Sequence, residues 1–489
     1  MTSTEFAHPS APREELLQSA RLDAGFSNFI NGQAVSPGGR LHVVNPATGE
    51  IIASVPDAGQ EALDQAVQAA RDAFPAWAAT PWAERRKVLE LFLKRMEEHQ
   101  QELVALLTAE TGRPLATSAW ELGGAIHAFG PTLLGLELPQ EHVDSPSRGK
   151  VIKRHVPLGV VCAISPWNVP VLLSCVKVLS ALLTGNTIVL KPSPFAPLTV
   201  LRVMALANDL LPPGVLNVIT GGDDLGPLMT AHPGFDKVTF TGSTQTGKRV
   251  LSSAAPTLKR VTLELGGNDP AIVLPDADPQ AIAEPLFWSM FMLNGHACIS
   301  LKRLYVHESI YPAVTQALQA YAAQIKTGDG FDPHSALGPV QNRMQFERIL
   351  ETWSAIQASR TPVLYQGQAP EQGYFFPVTL LDNPQEDAAF VSKEVFGPIR
   401  AIMKYTDLDD AIRRANDTPY GLGASVWGQD AEQLRAVADR LNAGTVWINQ
   451  HANLSIDLPF GGHKESGVGV EFGVEGLKSY CNVRVITAI

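Results

Sequence analysis

The spacing of apolar residues along this chain changes character near Gly159, and the change marks a shift in architecture. Residues 62–79 and 82–111 repeat apolar side chains every three or four positions between charged faces, which predicts two helices. Beyond Gly159, short β-rich apolar runs predict strands at 160–164, 187–190, 216–219, 238–241 and 261–265. Helical spacing fills the intervals, as at 198–211, where Pro212-Pro213-Gly214 supplies the stop. Such alternation predicts an α/β fold with a parallel, doubly wound sheet, and these sheets take ligands beyond the carboxyl ends of their strands. A second alternating block runs from about 271–274 to 446–449. The first 25 residues or so are polar and rich in proline and alanine, and are expected to form a loosely held arm.

Composition narrows the function classes. A chain of 489 residues exceeds one ordinary core, so two or three domains are expected. With 45% hydrophobic and 18% charged residues it reads as well-packed and globular. The net charge of −11, without a basic stripe, argues against nucleic acid as a partner. The start lacks a basic segment followed by an apolar one, and no apolar run approaches the roughly 20 residues that span a bilayer, so a cytoplasmic protein is expected. The four cysteines, Cys162, Cys175, Cys298 and Cys481, are too dispersed for a disulfide framework, and none forms CxxC. The twelve histidines form no HxxxH or HExxH, so no metal site is expected.

Two residues stand out chemically. Cys298 ends the apolar run Phe291-Met292-Leu293-Asn294-Gly295-His296-Ala297, and Glu264 lies between leucines before Gly266-Gly267. A carboxylate in apolar surroundings has a raised pKa and can act as a base near neutrality. A thiol becomes a strong nucleophile once a base or local dipole favours its thiolate. Such a pair can attack a carbonyl and later activate water. No GxGxxG follows any predicted strand. The nearest substitute, Gly242-Ser243-Thr244-Gln245-Thr246-Gly247, leaves a strand and opens a helix, and reads equally as a capped turn or as a pyrophosphate-binding turn.

The chain resembles the aldehyde dehydrogenase superfamily in eight segments that run in family order. These are Asn45-Pro46-Ala47-Thr48-Gly49-Glu50, Pro166-Trp167-Asn168-Val169-Pro170, Lys191-Pro192-Ser193 and Phe240-Thr241-Gly242-Ser243. They continue with Glu264-Leu265-Gly266-Gly267, Gly295-His296-Ala297-Cys298, Glu394-Val395-Phe396-Gly397-Pro398 and Pro459-Phe460-Gly461-Gly462. The resemblance implies a Rossmann-like dinucleotide-binding domain from residues 1–131 and 157–265, and an α/β catalytic domain from 266–465. It also implies a small β oligomerisation arm from 132–156 and 466–489, and a homodimer or homotetramer. Residues 483–487 alternate as a strand does, either extending a neighbour's sheet or forming an edge within one chain.

The same resemblance implies NAD(P)-dependent oxidation of an aldehyde to the acid, with Cys298 as nucleophile and Glu264 as deacylating base. Asn168 would supply an oxyanion donor, for which helix capping is the structural alternative. Lys177 and Glu471 match a proton-relay pair, although surface charges would fit them as well. For the cofactor, Lys191 would hold the adenosine ribose, and Glu394 with Phe396 the nicotinamide ribose and ring. Ser165, Pro166, Trp167, Ser193, Gly242, Ser243, Leu265 and Gly266 would complete that cleft. Pro194 departs from the glutamate common in NAD-preferring members, so NADP should be tolerated. His296 replaces the family's usual glutamine and is assigned to packing or polar lining. Val169, Leu172, Leu173, Val176, Met292, Ile299 and Phe460 would line the substrate tunnel. None is charged, and Val176 stands where an aromatic residue is frequent, which favours a neutral, apolar aldehyde. A CoA-acylating enzyme and a non-catalytic protein on the same fold are the rivals; the first often lacks the glutamate, the second the nucleophile or base.

Overall fold

The computed structural model describes residues 13–139, 141–145 and 149–488. Its centre is two mainly parallel sheets, between which the chain passes at 265–268 and again between Ile448 and Gly467. In the first, the parallel strands lie in the order Arg260–Glu264, Lys237–Thr241, Val160–Ile164, Thr187–Lys191 and Leu216–Val218. The chain therefore starts in the middle, winds outward to one side, and returns to build the other. The switch point lies between Val160–Ile164 and Lys237–Thr241, where crossovers leaving in opposite directions open a crevice for a ligand. The turns 165–169 and 242–243 follow those two strands. Both sheet faces are covered, and Thr187–Lys191 is buried at every position, which is why these strands read as unbroken apolar runs.

The second sheet holds Thr379–Asp382, Ile399–Tyr405, Leu301–His307, Asp269–Val273, Gly423–Trp427 and Thr445–Ile448 in parallel, with Val363–Gln366 antiparallel at one edge. Residues 265–268 carry the chain directly from one sheet to the other. Among the described residues, no helix is long and apolar enough to cross a membrane.

Several expectations need correction. The helix expected over 82–111 is two, Trp82–Glu98 and Gln100–Thr111, because His99 leaves helical geometry at φ −107° and ψ 9°. The start is not wholly loose: Arg13–Ser19 is a helix whose Leu16 packs with Ala109, Leu115 and Phe331. Residues 1–12 lie outside the described residues. The three-stranded arm sheet comprises Glu141–Ser145, Gly149–Pro157 and Cys481–Ala488. Residues 132–135 instead end the helix Gly130–Gly135, whose Leu133 and Leu134 join the main core. Gly467–Val468 pairs with Arg260–Glu264 in the first sheet, so the segment from 466 divides between body and arm. Alternation alone could not reveal that division, because a two-residue strand carries no period.

Candidate active site

Cys298 sits on a loop between the helix Pro279–Phe291 and the strand Leu301–His307. Leu293 and Asn294 both turn left-handed there (φ 53° and 58°), followed by Gly295 at φ 76°. A Cβ on Gly295 would lie 2.3 Å from the Gly397 carbonyl oxygen, so glycine is required for this close approach. Buried Arg400 fixes the loop by donating to the carbonyls of Met290 (3.0 Å) and Gly295 (3.2 Å) and to Ser300 Oγ (3.0 Å). Cys298 and Leu173 pack, partly buried, against the large apolar core that also contains Val169, Leu172, Val176, Met292, Ile299 and Phe460. Phe460 stacks on Phe472, which meets Phe129 edge-on.

Asn168 follows the Val160–Ile164 strand. Its Nδ2 donates to the carbonyl of His296 at 2.7 Å, tying the turn to the Cys298 loop. It does not cap the following helix. The buried Glu121 does so instead, accepting the N–H groups of Val171 (2.6 Å) and Leu172 (3.0 Å) and pairing with Arg113. Glu110 likewise accepts from Leu198 (2.8 Å) and Thr199 (2.9 Å) at the next helix. Neither long-range cap was expected from the sequence, because each acid lies in a helix far from the one it caps.

Glu264 ends its strand 5% exposed, and neither carboxylate oxygen has a hydrogen-bond partner. Burial, and then the charge of Glu471, hold it well above the ordinary carboxylate range, while Lys177 opposes them. Lys177 and Glu471 are not surface charges. Their side chains are 0% and 4% exposed and form an ion pair, with Thr239 Oγ1 3.1 Å from each. Burial pushes the Cys298 thiol up to about 12; Lys302 opposes this, and Glu394, Asp269 and Glu264 add to it. His296 is buried among Trp167 and Phe396, with ring centroids 5.2 and 5.7 Å away. Burial, then Arg400, lowers it to about 3, which makes the ring a weak proton acceptor. Its Nε2 and the Asn294 amide lack partners beside a cavity of about 40 Å³ lined also by Arg113, Trp167 and Asn168.

The expected cofactor residues converge on the switch point and on the sheet connection. Ser165 N–H donates to Lys191 O at 3.1 Å, and Ser165 Oγ accepts from Ser174 at 2.8 Å. Buried Lys191 is lowered to about 8 by desolvation, opposed by Asp223 and Asp57. Ser193 Oγ accepts the Phe195 N–H at 3.3 Å, and Pro194 lies half-buried between them. Gly242 N–H donates to Glu264 O at 3.0 Å, and exposed Ser243 caps the helix Thr244–Ala254 by accepting from Thr246 N–H at 3.2 Å. Leu265 N–H donates to Ser466 O at 2.9 Å. A Cβ on Gly266 would lie 2.3 Å from Glu394 Oε2, so glycine lets that carboxylate reach the connection. Trp167 meets Phe396 edge-on at 5.3 Å, and Pro166 precedes it on the same turn. Open backbone at a helix start, a buried lysine and a reachable carboxylate form a donor and acceptor set that fits a dinucleotide. Among the described residues, no group of three or more His, Cys, Asp or Glu side chains could hold a metal ion.

Sequence reasoning missed Arg400, Lys302 and Gln345, whose Nε2 donates to Phe396 O at 2.8 Å. Lys302 was discoverable, since a lysine in a strand predicted to be buried, four residues after Cys298, is costly to bury.

The profile of the aldehyde dehydrogenase family matches residues 34–486. Phenylacetaldehyde dehydrogenase of Pseudomonas fluorescens is 38% identical over 464 residues, covering 91% of each chain. Chloroplastic betaine aldehyde dehydrogenase of Beta vulgaris is 36% identical over 481 residues, covering 94% of this chain and 95% of that one. The NAD+ complex of an aldehyde dehydrogenase from Bacillus cereus superposes with a TM-score of 0.93 at 35% identity, covering 98% of both chains. Matched in sequence and fold over nearly its whole length, the chain belongs to the aldehyde dehydrogenase family.

Proposed function

We propose that the protein oxidises a neutral, apolar aldehyde to its carboxylic acid with NAD or NADP, through covalent intermediates on Cys298. The observation that carries this reading is the 2.7 Å hydrogen bond from Asn168 Nδ2 to the His296 carbonyl, which ties a side-chain amide to the loop two residues before Cys298. The dinucleotide, when bound, supplies the hydride acceptor. Lys191, Ser193, Ser243, Glu394 and Phe396 would hold it.

Attack of Cys298 Sγ on the aldehyde carbon forms a C–S bond and an alkoxide. The Asn168 amide carries two N–H donors, so one can keep the loop while the other faces the alkoxide, together with the Cys298 backbone N–H. Losing one such donor costs about 3 kcal/mol. Oxidation leaves a thioester on Cys298. Glu264, unpartnered and with a raised pKa, then takes a proton from the attacking water and passes it toward the Lys177–Glu471 pair.

Relatives are named for both a phenyl-bearing and a cationic aldehyde. The surroundings of Cys298 favour the former class. The expected tunnel side chains are all uncharged and offer no counter-charge to a cationic group. The reading includes a homodimer or homotetramer formed through the arm. Its outer strand Cys481–Ala488 has one unpaired edge among the described residues, with Val483 and Val485 57% and 58% exposed.

An aldehyde panel with NAD and NADP, with and without added CoA, following reduced cofactor and identifying the product, tests this reading. Phenyl and alkyl aldehydes should outrank cationic ones, and the product should be the free acid. Acyl-CoA as sole product would favour the CoA-acylating alternative. Absence of turnover with every aldehyde would favour a non-catalytic role.

A further inference from the structure

One buried cation is hydrogen-bonded to the backbone of the proposed nucleophile. Lys302 is the second residue of the strand after the loop, and its side chain is 2% exposed. Its Nζ donates to the carbonyls of Cys298 (2.7 Å), Ala297 (3.1 Å) and Ser300 (3.4 Å), and lies 3.3 Å from Glu394 Oε1. The same Glu394 oxygen accepts the Gly267 N–H at 3.2 Å. A buried ammonium is costly unless a specific interaction retains it, and mechanical restraint alone does not require this one. Arg400 already clamps the loop through carbonyls and the Ser300 hydroxyl, so a second cation adds chiefly charge.

The geometry points to Lys302 as a positioning residue that supplies the counter-charge for the Cys298 thiolate, with Glu394 competing for that charge. This inference rests on Cys298 being the nucleophile, as proposed above. The groups facing the thiol come from four elements. Lys302 is on its own strand, Glu394 on the 393–398 segment, Asp269 on Asp269–Val273, and Glu264 at the end of Arg260–Glu264. His296, on the loop itself, is neutral, and Arg400 faces it from Ile399–Tyr405. Lys302 is therefore the cation that favours the thiolate, against three carboxyl groups that disfavour it. Glu394 is also the residue proposed to grip the nicotinamide ribose. A ribose hydroxyl donating to Glu394 would loosen its hold on Lys302, linking dinucleotide binding to thiolate formation.

The test is alkylation of the full-length protein by iodoacetamide without dinucleotide, with the modified cysteine identified by peptide mass spectrometry. Thiolate reacts and thiol does not, so the rate near pH 8 reports ionisation. Lys302→Met should slow labelling of Cys298 about tenfold, equivalent to about one unit of pKa. Lys302→Gln is made alongside, so that one neutral variant remains if the other fails to fold. Lys302→Arg should stay within about threefold of wild type, because it keeps the charge. Glu394→Gln should accelerate labelling, a direction that simple loosening of a structural clamp does not predict for both changes. Wild-type rates in both neutral variants, Lys302→Arg as slow as Lys302→Met, or slower labelling in Glu394→Gln would each overturn the inference. Cys298→Ala with full turnover would instead overturn the nucleophile reading beneath it.

Discussion

Replacing Glu264 by glutamine removes a proton acceptor while leaving the side chain's volume nearly unchanged. The wild-type carboxylate is 5% exposed, has no hydrogen-bond partner, and is held well above its ordinary pKa by burial and by Glu471. A buried group without competing donors is free to accept a proton from water, and an amide cannot. General-base assistance contributes about 10²–10⁴ in rate. That factor corresponds to roughly 3–5 kcal/mol of barrier at about 1.4 kcal/mol per tenfold. Steady-state turnover should fall by that factor, with the loss confined to deacylation. Acid quenching during turnover should therefore trap acylated Cys298 in the mutant and little of it in wild type, as read by peptide mass. Wild-type activity should decline as pH falls through the raised pKa of Glu264, because protonation removes the base. Stability carries the opposite sign: a carboxyl with a raised folded pKa is stabilising below its unfolded value, and that contribution disappears as pH rises through the folded value. Glu264→Gln should thus gain Tm relative to wild type at alkaline pH and little at acidic pH. Unchanged turnover, or a slow mutant that accumulates no acyl-enzyme, would remove Glu264 from the mechanism.

Cys298→Ala should abolish turnover while dinucleotide binding, measured by calorimetry, stays near wild type; residual activity above a few per cent would reject the nucleophile. Pro194→Glu should shift the NAD to NADP ratio of kcat/KM about ten- to hundredfold toward NAD, since one charged hydrogen bond is worth roughly 1.5–3 kcal/mol. An unmoved ratio would show that position 194 does not read the ribose. Lys177→Met should destabilise the fold by about 3–5 kcal/mol, because it leaves Glu471 buried without its cation. Adding Glu471→Gln should recover part of that loss in denaturant unfolding, and a double mutant no more stable than the single would argue against the pairing.

The sequence by itself determined the fold class, with its parallel cofactor-side sheet, and singled out the candidate residues of the site. Its strands are buried on both faces, so each is a short, continuous apolar run, and the helices between them keep their own period. Cys298, Glu264 and Asn168 were legible because each stands in a motif whose neighbours limit what it can do. Tertiary structure decided how charge is arranged around them. Lys177 and Glu471 lie 294 positions apart and look like ordinary surface charges until the fold buries both. Glu121 caps a helix 50 residues away, and Lys302 is recognisable as a counter-charge only once Glu394 and the carbonyls of the nucleophile loop are beside it. Local spacing encodes which face of an element is apolar. The partner of a buried charge depends on which elements meet, and only the packed fold brings them together.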